Sequence, residues 1–106
     1  MRLGIVLYSD DAESVFNAFR LGTFALGKGD EVRTFLLGRG VDCERIDTEQ
    51  FNVTEQIQAY LDAGGETLSC GSCMKLRKMG STEVCALSTM GDLYDVVAQS
   101  DKVITF

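Results

Sequence analysis

With 106 residues, ten Lys and Arg against sixteen Asp and Glu, and a net charge of −6, the chain has the size of one domain with a single core. The acidic balance, with a pI near 4.5, repels phosphate backbones, so nucleic-acid binding is not expected of its surface. No apolar run approaches the roughly 20 residues of a membrane span, and the apolar run after Met1-Arg2 is too short for a signal peptide; a cytoplasmic protein without a membrane partner is expected.

The apolar runs alternate between strand and helix patterns. Leu3 to Tyr8 reads as a strand covered on both faces. Asp10, with Glu13 three residues on, reads as the capping box of a helix whose apolar face carries Val15, Phe16, Phe19 and Leu26 and which ends near Gly27-Lys28-Gly29-Asp30. Val32 to Leu37 is the second strand, followed by the turn Gly38-Arg39-Gly40 and an irregular stretch through Phe51. A second helix is expected from about Thr54, with Ile57, Tyr60 and Leu61 inward, stopped by Gly64-Gly65. Then come a third strand (Glu66 to Ser69), a short basic helix (Ser72 to Met79), a fourth strand (Glu83 to Leu87), a helix (Leu93 to Ala98) and a last strand (Lys102 to Phe106). Repeated strand–helix units predict an α/β fold: a three-layer α/β/α sandwich on a mainly parallel five-stranded sheet, with right-handed crossovers. No linker or repeat divides the chain, so 1–106 forms one domain.

Sites in such sheets lie at the carboxyl ends of the strands. The turns after the first two strands, Asp10-Asp11 and Gly38-Arg39-Gly40, belong at that edge, and so does Cys70-Gly71-Ser72-Cys73 after the third. Cys70 stands at the start of a helix, where unpaired backbone N–H groups and the positive end of the helix dipole favour a thiolate. Lys75, Arg77 and Lys78 add positive charge, and no acid lies between Cys70 and Gly80. With no histidine in the chain, a thiolate here must be activated by its electrostatic surroundings. The competing reading makes both cysteines small buried apolar residues and the three bases a solvated helix face.

Other chemistries fit less well. Gly38 and Gly40 lack a third glycine, because Cys43 stands where a dinucleotide fingerprint needs it, and Asp10 and Asp11 would repel a flavin phosphate; no cofactor is expected. A metal site from Cys43, Cys70, Cys73 and Cys85 is not expected either, since only one Cys-x-x-Cys pair is present. Cys85, inside an apolar strand, reads as core, and Cys43, in a polar loop near the candidate edge, as an accessory or incidental thiol. A thioredoxin-like fold is disfavoured: the chain has no proline to set in cis against the pair, no tryptophan beside it, and the pair comes late.

Taken in order, several segments resemble the DsrE/DsrF-like family of small sulfur-relay proteins, TusD type included. They are the first strand with its acidic turn, Gly29-Asp30-Glu31-Val32, Gly38-Arg39-Gly40-Val41, Phe51-Asn52-Val53, Ala63-Gly64-Gly65-Glu66, Cys70-Gly71-Ser72-Cys73 with Lys75-Leu76-Arg77, Met90-Gly91-Asp92-Leu93, and the ending Ser100 to Phe106. The resemblance implies a five-stranded parallel α/β/α fold and a homotrimer or homohexamer, for which the apolar composition leaves room. It further implies a sulfurtransferase of the persulfide-carrier kind, with sulfur donor and acceptor proteins as partners. Cys70 matches the cysteine that accepts sulfane sulfur; Gly71, Ser72, Lys75, Arg77 and Lys78 would stabilise the anionic forms. Cys73 opens a rival reading, because its thiol could attack a Cys70 persulfide and release sulfide, making the pair a dithiol redox or sulfide-releasing module. A structural oligomeric subunit with inert thiols is a third.

Overall fold

The computed structural model describes residues 1–106. Five parallel strands, β1 (Arg2–Leu7), β2 (Glu31–Leu36), β3 (Glu66–Cys70), β4 (Leu87–Ser88) and β5 (Lys102–Thr105), form one sheet in the order β4-β3-β2-β1-β5. Between them run α1 (Ala12–Gly27), α2 (Val53–Asp62), α3 (Gly71–Leu76) and α4 (Met90–Gln99), with a 3-10 segment, Gly38–Arg45, after β2. The five-stranded parallel α/β fold is the one expected. The chain moves outward from β1 to β4, then crosses back through α4 to β5 on the far side of β1. With right-handed crossovers, that reversal puts α4 on the face opposite α1 and α2.

Side-chain alternation along β1 serves both faces. Leu3, Ile5 and Leu7 join the main core with Val15 and Phe19 of α1 and Ile57 and Tyr60 of α2. Gly4 faces α4; a β-carbon there would come within 2.7 Å of Ser100 Oγ and 3.1 Å of Val96 Cγ1, so the missing side chain lets that helix sit close. Tyr60 ties α2 to the sheet: its hydroxyl donates to the Glu66 carbonyl (2.7 Å), lies 3.2 Å from the Val32 carbonyl, and accepts from Thr34 Oγ1 (3.1 Å).

Four boundaries differ from expectation, each for a local reason. Asp11, not Asp10, caps α1, because its carboxylate accepts the Ser14 backbone N–H at 2.9 Å and the Ser14 hydroxyl as well. The stretch after β2 is not wholly irregular, since residues 38–45 wind into 3-10 turns. The fourth strand does not begin at Glu83: Thr82 Oγ1 accepts the Cys85 N–H (2.9 Å) and the Thr82 N–H donates to the Cys85 carbonyl (3.2 Å), curling residues 82–85 into a turn. Only Leu87 and Ser88 are left to pair with β3. Helix α4 starts at Met90, three residues early, because Thr89 and Asp92 form a reciprocal capping box.

Helix α3 also ends before Met79. Lys78 adopts φ +54°, the left-handed conformation that closes helices, and the Met79 N–H turns back to the Met74 carbonyl at 3.0 Å.

Candidate active site at the carboxyl edge of the sheet

The strand ends set the site. Leu37 donates its N–H to the Leu7 carbonyl (2.9 Å), which brings the start of the 3-10 segment over the end of β1. Gly40 lies directly on that carbonyl, and a β-carbon there would collide with it, so glycine is required by the packing. On the other side of the sheet's centre, β3 ends at Cys70, which is itself the N-cap of α3. Gly71 is constrained as well: a β-carbon would stand 2.8 Å from Leu87 Cδ2 and 3.2 Å from the Ser88 carbonyl, both in the neighbouring β4.

Cys70 and Cys73 are free thiols near enough for Cys70 to raise the proton affinity of Cys73. Cys70 is 8% exposed, whereas Cys73 is half-buried under the 3-10 segment. The backbone N–H of Gly38 donates to Cys73 Sγ at 3.2 Å. Burial pushes the Cys73 thiol above its ordinary range, and its hydrogen bond to Cys70 acts in the same direction; the Gly38 N–H and the Arg77 charge pull the other way. Cys73 therefore holds its proton through neutral pH.

The basic residues divide. Lys75, Lys78 and Ser72 are exposed, and with Gly71, Met74, Met79 and Leu87 they line an open groove of about 640 Å³ beside the pair. Arg77 faces inward instead. Its Nε donates to Asp42 Oδ2 (3.1 Å) and its Nη1 to the Cys73 carbonyl (3.1 Å), so it clamps α3 to the 3-10 segment. Arg45 also pairs with Asp42. The stretch from Cys70 to Gly80 lacks acids in sequence, yet the fold brings Asp42 against it.

Cys43 sits apart from this pair in hydrogen-bonding terms. It is fully buried in the core, where its thiol and that of Cys85, also fully buried, shift each other's proton affinity. Three relationships were thus not read from the linear chain: Gly38 on Cys73, Asp42 on Arg77, and Cys43 near Cys85. The turn after the second strand was the signal for the first; nothing local signals the other two.

A parallel α/β/α sheet carrying a Cys-x-x-Cys pair where its third strand meets a short helix defines a class of small thiol-bearing proteins. The chain belongs to the DsrE/DsrF-like family, whose model matches residues 1–106. Among curated relatives, it is 34% identical over 100 residues to the uncharacterized protein MK0008 of Methanopyrus kandleri, covering 89% of this chain and 83% of that one. It is also 34% identical over 100 residues to the uncharacterized protein MJ0989 of Methanocaldococcus jannaschii, covering 89% and 88% of the two chains. Among solved structures, the conserved protein of unknown function BT1422 from Bacteroides thetaiotaomicron superposes with a TM-score of 0.74 at 18% identity, over 99% of this chain and 94% of that one, a likeness of fold. No helix is long and apolar enough to cross a membrane.

Proposed function

We propose that the protein is a sulfur-relay carrier that takes up sulfane sulfur as a persulfide on Cys70 and passes it to an acceptor thiol. The observation that carries this reading is the placement of Cys70 at the β3–α3 junction, one turn before Cys73 and next to Gly71 and Ser72, which line a groove edged by Lys75 and Lys78. Family membership supports it.

In the loading step the Cys70 thiolate attacks the outer sulfur of a donor persulfide. The donor S–S bond breaks, the donor cysteine leaves as a thiolate, and Cys70 carries the added sulfur. Transfer repeats this at an acceptor: its thiolate attacks the outer sulfur and Cys70 leaves as a thiolate. Backbone N–H groups at the start of α3, with Gly71 and Ser72, and the two exposed lysines stabilise the anionic forms. Arg77 acts from further back, through the Cys73 backbone.

The nearness of the two thiols favours one second reading, dithiol redox chemistry. If Cys73 loses its proton, its thiolate can attack the inner sulfur of the Cys70 persulfide, expelling hydrosulfide and leaving a Cys70–Cys73 disulfide. The raised proton affinity of Cys73 slows that closure and so favours relay.

Donor and acceptor proteins are the partners this chemistry requires, and a cytoplasmic setting, where thiols stay reduced, suits it. A homo-oligomer is also proposed. On α4, Met90 (66% exposed), Tyr94 (72%) and Val97 (49%) recur at helical spacing and form an apolar stripe flanked by exposed Leu87. A second copy of the chain is its proposed occupant.

The test is mass spectrometry of the reduced protein after incubation with a persulfide donor. One added sulfur on Cys70, lost in Cys70→Ser and retained in Cys73→Ser, is the expected result. Loss of two hydrogens with no retained sulfur makes the pair a redox module instead, and added sulfur on Cys73 alone moves the site.

A further inference from the structure

The core holds a second pair of thiols that the relay reading does not use. Cys43 comes from the 3-10 segment and Cys85 from the turn before β4, both fully buried and near enough for each thiol to shift the other's proton affinity. Contacts on either side hold their backbones together. The Cys85 S–H donates to the carbonyl of Val41, two residues before Cys43, at 3.6 Å, and Thr82 Oγ1 donates to Oε1 of Glu44, one residue after it, at 2.7 Å. The Thr82–Glu44 bond thus ties the two segments together independently of the thiols, while the Cys85 bond to Val41 is given up when its S–H is lost.

A further observation separates this pair from ordinary core cysteines. Ser69 Oγ is fully buried beside Cys85 and has no hydrogen-bond partner, the only side-chain oxygen or nitrogen in the protein left in that condition. Its backbone N–H is satisfied by the Ala86 carbonyl at 2.9 Å, so the residue is held in place while its hydroxyl is not. A neutral thiol is a weak acceptor for that hydroxyl, and a thiolate is a strong one. Cys85 here is a neutral thiol that donates to the Val41 carbonyl, so the Ser69 hydroxyl would gain a strong acceptor only when that proton is lost.

We infer that Cys43 and Cys85 form a second redox dithiol, closing to an intramolecular disulfide when the protein meets a small disulfide oxidant such as glutathione disulfide. Cys85 is the attacking thiol. The neighbouring Cys43 thiol holds it below the ordinary thiol range against burial and the Glu44 carboxylate, while Cys43 itself is pushed up. The Cys85 thiolate attacks one sulfur of the oxidant, its S–S bond breaks, and one glutathione thiolate leaves. Cys43 then gives up its proton to solvent and attacks the Cys85 sulfur of the mixed disulfide, expelling the second glutathione thiolate. Two protein thiols and one glutathione disulfide become one protein disulfide and two glutathiones, and the two electrons pass to the oxidant.

Entry requires local opening of the 81–85 turn. That turn shows exposed Ser81, Thr82 and Glu83 to solvent, and it is tied to the rest of the chain by the Thr82–Glu44 and Cys85–Val41 hydrogen bonds, which opening must break. Closure would pin the 3-10 segment, and with it the Gly38 N–H that lies on Cys73, to the turn that leads into β4, the strand paired with Cys70. This inference stands apart from the relay reading, because it needs neither a persulfide nor Cys70.

Trypsin makes the test direct, since Cys43 falls in peptide 40–45, Cys85 in 79–102, and Cys70 and Cys73 together in 46–75. Native protein is equilibrated with glutathione disulfide over a concentration range, alkylated under denaturing conditions, digested and mapped without reduction. Peptides 40–45 and 79–102 are expected joined, two hydrogens below the sum of their masses, both in the wild type and in the Cys70→Ser/Cys73→Ser double variant, and not in Cys43→Ala. The oxidised protein is expected to keep the far-ultraviolet dichroism of the reduced form and to melt at a higher temperature. Cys43 and Cys85 both alkylated throughout the range, a glutathione adduct on Cys85 without the crosslink, a crosslink from either one to 46–75, or a crosslinked but unfolded product each overturns the inference.

Discussion

The backbone N–H of Gly38 stands 3.2 Å from the sulfur of Cys73, so a residue at the end of the second strand bears directly on a thiol at the end of the third. This donor partly offsets the rise that burial imposes on Cys73. It stays in place only while the 3-10 segment rests on the Leu7 carbonyl through Gly40.

Gly40→Ala is therefore expected to lift that segment. The new β-carbon collides with backbone rather than with a flexible side-chain end, so stability falls by about 1–3 kcal/mol. Loss of the Gly38 donor moves the Cys73 thiol further up. In a Cys70→Ser background, the pH midpoint of Cys73 alkylation shifts upward; an unchanged midpoint would show that the Gly38 contact has no electrostatic consequence.

Asp42 and Arg77 supply an opposed pair of variants. The Arg77 charge favours the Cys73 thiolate, and the Asp42 carboxylate neutralises part of that charge from 3.1 Å. Asp42→Asn is expected to speed Cys73 alkylation near neutral pH by about twofold, and Arg77→Gln to slow it by about as much, since both groups are partly solvated. Adding salt should shrink both effects, and rates moving in the same direction in the two variants would contradict the assignment.

Tyr60 predicts a pH dependence of stability. Burial raises its hydroxyl to about 12, above the value of about 10 expected in the unfolded chain. A group whose folded pKa is raised contributes fully below the unfolded pKa and loses that contribution as pH rises toward the folded one. Stability should fall by roughly 3 kcal/mol between about pH 10 and 12 on this account. Tyr60→Phe removes the hydroxyl that serves Glu66, Val32 and Thr34, costs about 1–3 kcal/mol at neutral pH, and flattens the alkaline slope in urea unfolding.

The stripe on α4 bears on assembly. Tyr94→Glu with Val97→Glu places charge on two exposed apolar positions without entering the core, so the fold should survive. Sedimentation across a concentration series is expected to show an oligomer for the wild type and a shift of at least tenfold in its dissociation constant for the double variant, which corresponds to about 1.4 kcal/mol. A wild-type mass that stays monomeric throughout removes the oligomer from the proposal.

Local sequence determined the order of strands and helices, the parallel α/β class and the position of the Cys-x-x-Cys pair, because period-two and helical apolar patterns, caps and glycine stops act within a few residues. It misled where a side chain competed with the backbone: Thr82 curls residues 82–85, which otherwise read as strand. Only the tertiary structure decided which charges and donors the thiols meet. Asp42 reaches Arg77 and Gly38 reaches Cys73 because β2 and β3 are neighbours whose following segments meet at one edge. Cys43 and Cys85, read separately as a loop thiol and a core residue, become a pair for the same reason: parallel crossovers return distant segments of the chain to the same end of the sheet, and no local pattern encodes which of them will touch.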